Sequence, residues 1–146
     1  MKTGHVGLNV TQLQRSIDFY RGALGLEVIF QSSGEADRRF AYLGHDGQIT
    51  LTLWEQSEGA FGPSRPGLHH LAFEAESIED VKEAERRLRG LGIRLIYDGV
   101  VPHAEDRDSG GLFFLDPDGI RLEIYSAHGA ADHADASTDG PACGFF

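Results

Sequence analysis

Apolar residues alternate with others from Val6 to Val10: Val6, Leu8 and Val10 share one side, Gly7 and Asn9 the other. A period of two marks a strand with one buried face. Past Thr11 the period lengthens, and Leu13, Ile17, Tyr20 and Leu24 form a stripe at helical spacing. β-type runs follow from Leu26 to Gln31, from Phe40 to Leu43 and from Gln48 to Trp54. The same order then begins again. An apolar run from Leu71 to Ala75 leads into a helical stripe of Ile78, Val81, Ala84, Leu88 and Leu91. Further β runs span Ile93 to Tyr97, Leu112 to Leu115 and Ile120 to Tyr125. The punctuation agrees. Thr11 with Gln14, and Ser77 with Asp80, have capping-box spacing. Gly25 and Gly92 stand where left-handed C-caps belong. Gly44-His45-Asp46-Gly47 and Asp116-Pro117-Asp118-Gly119 have turn chemistry.

The pattern predicts an α+β chain of two tandem βαβββ modules. GHVGLNVTQLQRSIDFYRGALGLEVIF starts at Gly4 and HHLAFEAESIEDVKEAERRLRGLGIRLIY at His69. His5 falls on His70, Leu8 on Phe73, and Leu24-Gly25-Leu26 on Leu91-Gly92-Ile93. Module one covers 4–56 and module two 68–126, within one domain of residues 1–126. Between them SEGAFGPSRPG, residues 57–67, is a linker by composition. Residues 127–146 hold Ala, Gly, Asp, Ser and His with little to bury, and are expected to form a flexible tail ending in CGFF.

Composition narrows the function classes. The 146 residues are 40% hydrophobic and 25% charged, as in an ordinary globular domain. A formal net charge of −10 opposes binding to a phosphate backbone and suits a cationic ligand. No run approaches the ~20 apolar residues of a membrane helix, and MKTGHVGLNV has no signal-peptide core. The single cysteine, Cys143, excludes an internal disulfide and fits a reducing compartment. A cytoplasmic protein with no nucleic-acid or membrane partner is expected. Cys143 has no basic neighbour in sequence to activate it as a nucleophile.

Strand parity separates the candidate chemistry from the core. Opposite Val6, Leu8 and Val10 lie His5, Gly7 and Asn9; opposite Leu71 and Phe73 lie His70, Ala72 and Glu74. In the last strand Arg121, Glu123 and Tyr125 oppose Ile120, Leu122 and Ile124. A polar face on each of these strands predicts a wet pocket rather than a second core. His69 has the opposite parity and is expected to be structural or exposed at the rim.

GHVGLNV with SIDFYRGALGLEV, then GLHHLAFEAESIED, then FFLDPDGIRLEIY, resembles the vicinal oxygen chelate superfamily over roughly residues 4–126. That superfamily includes glyoxalase I, extradiol dioxygenases, methylmalonyl-CoA epimerase, and the fosfomycin and bleomycin resistance proteins. The resemblance implies mixed sheets curled around a metal-centred cavity. Its ligands come from the first and last strand of each module, which here gives His5, His70 and Glu123. The fourth slot falls on Thr52, where many glyoxalase-like members have a carboxylate or amide. Glu55 is close by and is retained as a ligand candidate, although its parity matches Leu51 and Leu53. Two imidazoles and a carboxylate suit a divalent ion, Fe(II) above all, with Mn, Ni or Zn also able to use these donors.

Around this set stand His103 and Glu105, in a polar loop able to supply an acid or base, and Tyr125, whose hydroxyl could meet substrate. Trp54 reads as an aromatic wall or as core. Arg121 reads as an anion-binding group or as a partner of Glu74. The 116–119 turn, His128 and His133 are given no function. The resemblance implies a metal-dependent homodimeric enzyme of the glyoxalase/dioxygenase type, acting on a small substrate with vicinal oxygens. The alternative is a metal-free drug-sequestering protein of the bleomycin-resistance type. It draws on the acidic charge and on Trp54 and Tyr125.

Overall fold

A computed structural model of the chain describes residues 1–34, 39–104 and 108–131. It divides into two units, Met1–Phe61 with Pro117–Gly119, and Gly62–Asp116 with the chain from Ile120 onward.

Unit one contains β1 (Val6–Val10), α1 (Leu13–Leu24), β2 (Glu27–Gln31), β3 (Phe40–His45) and β4 (Gln48–Glu55). The sheet order is β1-β4-β3-β2, with β1 parallel to β4 and the other pairs antiparallel. The apolar stripe of α1 (Leu13, Ile17, Tyr20, with Ala23) is buried, as are Leu8, Val10, Ala41, Leu43, Leu51 and Leu53 of the strands. Leu24, expected in the stripe, is only half-buried. Gly25 closes the helix in the left-handed conformation, φ 71°. The β3–β4 hairpin turns on Asp46 and Gly47, φ 49° and 73°, between paired His45 and Gln48. Positive φ at both central residues is the twist-matched hairpin turn.

The expected Thr11–Gln14 cap does not form: α1 begins after Gln12, which makes no side-chain cap. Carboxylates from elsewhere do the work. Leu13 N–H donates to Glu55 Oε2 at 2.5 Å. Thr11 donates to Asp118 through its N–H at 2.9 Å and its hydroxyl at 2.5 Å, and Arg15 joins the same carboxylate. The turn given no function thus anchors a helix.

Unit two contains β5 (Leu71–Glu74), α2 (Ile78–Gly90), β6 (Val101–Pro102), β7 (Gly110–Leu115) and β8 (Arg121–Ser126). Its order, β5-β8-β7-β6, repeats that of unit one, and β5 is again parallel to its neighbour. Here the cap does form, with Ser77 Oγ accepting from Asp80 N–H. Ile78, Val81, Ala84 and Leu88 are buried, as are Leu112, Phe114, Leu122 and Ile124, whereas Leu91 is exposed beyond the helix end. The strand expected from Ile93 to Tyr97 is reduced to a bridge between Leu95 and Phe114. Gly99, φ 91°, turns the chain back through an N–H to the Tyr97 carbonyl, so pairing resumes only at Val101.

The expected tail starts out held. Gly129 N–H donates to Asp108 Oδ1, Ala130 N–H to the Asp108 carbonyl, and Ala130 is fully buried. Glu105, and residues 132–146 with His133, Cys143 and CGFF, lie outside the described residues. Among the described residues no helix is long and apolar enough to cross a membrane.

Candidate functional site

The centre of unit two's chemistry is Glu123. It lies on β8, paired on one side with Ala72 of β5 and on the other with Phe113 of β7. Strands on both flanks leave it 2% exposed. A carboxylate so placed needs partners, because unpaired burial of charge costs several kcal/mol at least. Two imidazoles serve. His103 Nε2 is 2.5 Å from Glu123 Oε1, and His70 Nε2 is 3.5 Å from Oε2.

Each imidazole is held at its other nitrogen. His103 Nδ1 lies 3.0 Å from Ser109 Oγ, and the backbone N–H of His103 donates to the Ser109 carbonyl at 3.0 Å. The loop ends are thereby tied where β6 and β7 part. His70 Nδ1 lies 2.8 Å from Nδ1 of His69. The rings of Tyr125 and Phe113 border His103, centroids 5.6 and 6.3 Å away. Burial pushes the His70 imidazole below its ordinary pKa, against the pull of Glu123; His69, Arg121 and His103 add to the lowering. His70 is therefore the neutral, lone-pair-bearing form near neutrality, the form a metal requires.

Unit one carries different chemistry at the equivalent register. Gly7 pairs with Thr52 and Thr52 with Tyr42, as Ala72, Glu123 and Phe113 pair in unit two. The structure thus reproduces the alignment of Thr52 with Glu123. Thr52 is 4% exposed, and its Oγ accepts from the Trp54 indole N–H at 3.1 Å. The face expected to be wet is largely aromatic. Trp54 stacks on Phe40 at 4.8 Å, and Tyr42 and Phe30 continue the cluster at 5.3 and 5.7 Å.

His5 is exposed immediately before β1, as His70 stands immediately before β5. Glu55 is not on the Thr52 face. It pairs in register with buried Val10 and divides its oxygens between Leu13 N–H and Arg39. His128 is exposed, 3.3 Å from Asp108. Within neither unit do the described residues gather three or more His, Cys, Asp or Glu side chains as a metal site. Unit two contributes two fitting donors: a neutral imidazole and a buried carboxylate, nitrogen and oxygen ligands of the kind divalent iron, manganese or zinc accept.

His69, expected to be structural or exposed at the rim, is exposed and lies against His70; Ser109 was not singled out in the sequence. Parity set His69 apart from His70, but both precede β5, where the strand rule does not govern side-chain direction. For Ser109 the available signal was its place at the foot of a strand, facing a loop histidine.

The family model described as the Glyoxalase/Bleomycin resistance protein/Dioxygenase superfamily matches residues 2–124. A trivalent organoarsenical cleaving enzyme of Bacillus sp. (strain MD1) is 30% identical over 143 residues, 98% of this chain and 83% of that protein. A catechol-2,3-dioxygenase of Bacillus subtilis (strain 168) is 32% identical over 130 residues, 84% of this chain. The match spans only 40% of that relative's length. Among solved structures, a glyoxylase/bleomycin resistance protein/dioxygenase domain from Frankia sp. EAN1pec superposes with TM-score 0.74 at 27% identity, covering 91% of this chain and 98% of that one.

Proposed function

Because this chain belongs to the glyoxalase/bleomycin resistance protein/dioxygenase superfamily, we propose that it is a metal-dependent enzyme acting on a small substrate with two neighbouring oxygens. His5, His70 and Glu123 are the proposed ligands, with Fe(II) favoured and Mn, Ni or Zn as alternatives. A bound divalent ion would supply Lewis acidity and a template for the two substrate oxygens. The observation that carries the reading is Glu123: a buried carboxylate with imidazole Nε2 atoms 2.5 and 3.5 Å from its oxygens. The repeat supports His5, which holds in module one the place of His70 in module two.

The chain's own groups have distinct tasks. Glu123 fixes negative charge in a place where water does not screen it. His103, beside that carboxylate, is proposed as the acid or base that exchanges a proton with substrate. Ser109 fixes its ring, and the Tyr125 hydroxyl is proposed to orient substrate. Thr52, already engaged by Trp54, leaves the centre with three protein ligands. The reading includes a cytoplasmic homodimer, supported by the lone cysteine and the resemblance.

Metal analysis after chelator-free purification tests this. Stoichiometric first-row metal is expected, lost in His70→Ala and Glu123→Gln; a metal-free wild type refutes it. The aromatic cluster on β2, β3 and β4 favours a second reading, metal-free sequestration of a planar cationic drug. Trp54 is the chain's one tryptophan, so a fluorescence titration with bleomycin decides between them.

A further inference from the structure

We propose that His69 is a positioning residue for His70, and that the hydrogen bond between them reverses direction when His70 frees its Nε2. The proposal rests on the metal reading above and adds a residue to it. The two rings meet Nδ1 to Nδ1 at 2.8 Å, nearly edge-on, with planes 81° apart. A bond between two imidazole nitrogens needs one N–H and one lone pair. Two neutral rings so joined are therefore complementary tautomers: the donor carries its proton on Nδ1, the acceptor on Nε2.

Glu123 decides which ring is which in the free protein. His70 Nε2 faces Glu123 Oε2 at 3.5 Å, and a carboxylate favours an N–H over a lone pair. His70 thus carries its proton on Nε2, and its Nδ1 accepts from His69. A cation in front of Nε2 demands the opposite. The Nε2 proton of His70 leaves to water, the shared proton passes from His69 Nδ1 to His70 Nδ1, and exposed His69 takes a proton from water on its own Nε2. Two protons are bound by the pair before and after, so its charge does not change. The bond persists with donor and acceptor exchanged.

The usual partners of a ligating histidine are carboxylates, backbone carbonyls and water. The first two only accept, so they fit the loaded state alone; water fits both but does not fix the ring. A second imidazole fits both states and keeps the ring aimed in each. The rings can meet because residues 69 and 70 precede β5, where neighbouring side chains are not forced to opposite faces.

The test uses the full chain labelled with ¹⁵N-histidine, its rings read by long-range ¹H–¹⁵N correlation at about pH 8, above the ordinary imidazole pKa of about 6.5. The metal-free wild type should show His69 protonated on Nδ1 and His70 on Nε2. Zn²⁺, a diamagnetic probe, should invert both. His69→Ala should leave metal-free His70 protonated on Nε2, the tautomer that Glu123 sets, but weaken Zn²⁺ binding by about 10-fold or more. His69→Asn, whose amide can present either a donor or an acceptor, should recover most of that affinity. His69 is exposed, and circular dichroism checks that each variant folds. An unchanged Zn²⁺ affinity in His69→Ala would overturn the proposal, as would identical tautomers in the two wild-type rings. Complementary tautomers in a wild type that takes up no Zn²⁺ would sink the metal reading while keeping His69 as the group that aims His70 at Glu123.

Discussion

Glu55→Ala separates two roles that one carboxylate cannot hold together. By sequence Glu55 stood near the metal-ligand positions; in the structure it caps α1. Its Oε2 accepts the Leu13 N–H at 2.5 Å and its Oε1 meets Arg39 at 2.8 Å, with the carboxylate 17% exposed. Losing a helix-capping acceptor costs about 0.5–2 kcal/mol. α1 has no acidic residue in its first turn, so Glu55 also faces the positive end of the helix dipole, worth about 0.3–1 kcal/mol. The Arg39 side chain is 40% exposed, and such a pair contributes about 0–1 kcal/mol. The expected loss is about 1.5–3 kcal/mol, since the terms overlap. A urea titration followed by circular dichroism should show a lower midpoint with an unchanged slope. Glu55→Gln keeps an acceptor for Leu13 and should lose less than half as much. Metal content should be that of the wild type in both variants. A folded Glu55→Ala protein of wild-type stability that has lost its metal would refute this assignment and return Glu55 to the ligand set.

Three further outcomes follow from the same geometry. Asp118→Ala removes two charge-assisted bonds to Thr11 at a side chain 5% exposed; about 2–4 kcal/mol should be lost, against less than about 1 for Arg15→Ala, and equal losses in urea denaturation would contradict it. Thr52→Glu puts a carboxylate where the indole N–H of Trp54 is the bonded partner; a loss of about 3 kcal/mol or more is expected, and a neutral thermal-melt result would show that this face is wetter than described. For metal-free protein, the folded pKa of His70 lies below its ordinary 6.5, so the unfolded chain binds the proton more readily. This contribution is absent well above pH 6.5 and weakens the fold as pH falls through and below that value. The wild type should lose more stability on acidification than His70→Gln, and parallel pH–stability curves would refute the sign.

The parts of the fold that were legible in the sequence are those fixed by local pattern. The period change at Thr11, the left-handed residues Gly25 and Gly92, the Asp46-Gly47 turn and the Ser77 cap need only neighbouring residues to declare themselves. The superposition of His5 on His70 and of Thr52 on Glu123 came from the repeat, and for Thr52 and Glu123 the ladder registers agree with it. What stayed hidden depends on partners remote in sequence. Asp118 lies 107 residues from Thr11, so neither end of that bond signals the other. Glu55 has the parity of the helix side, and only α1's start explains why a carboxylate belongs there. The strand expected at Ile93–Tyr97 is cut to the Leu95–Phe114 bridge and one bond from Ile96 N–H to the Phe113 carbonyl, and Gly99 turns the chain before pairing resumes at Val101.

The duplication shows how one backbone can carry two chemistries. At equivalent ladder positions, Thr52 and Glu123 are buried almost equally, 4% and 2% exposed, so burial does not distinguish them; their partners do. A hydroxyl is satisfied by one indole N–H, and the neighbouring face is then free to fill with Phe40, Tyr42 and Trp54. A carboxylate needs more, and the same position in unit two is met by His70 and His103, each steadied by a further polar group. Those histidines come from outside the regular strands, His70 just before β5 and His103 just after β6. There a change of residue alters no ladder bond. The sheet supplies the fixed carboxylate, and the segments just outside its strands supply the imidazoles that meet it.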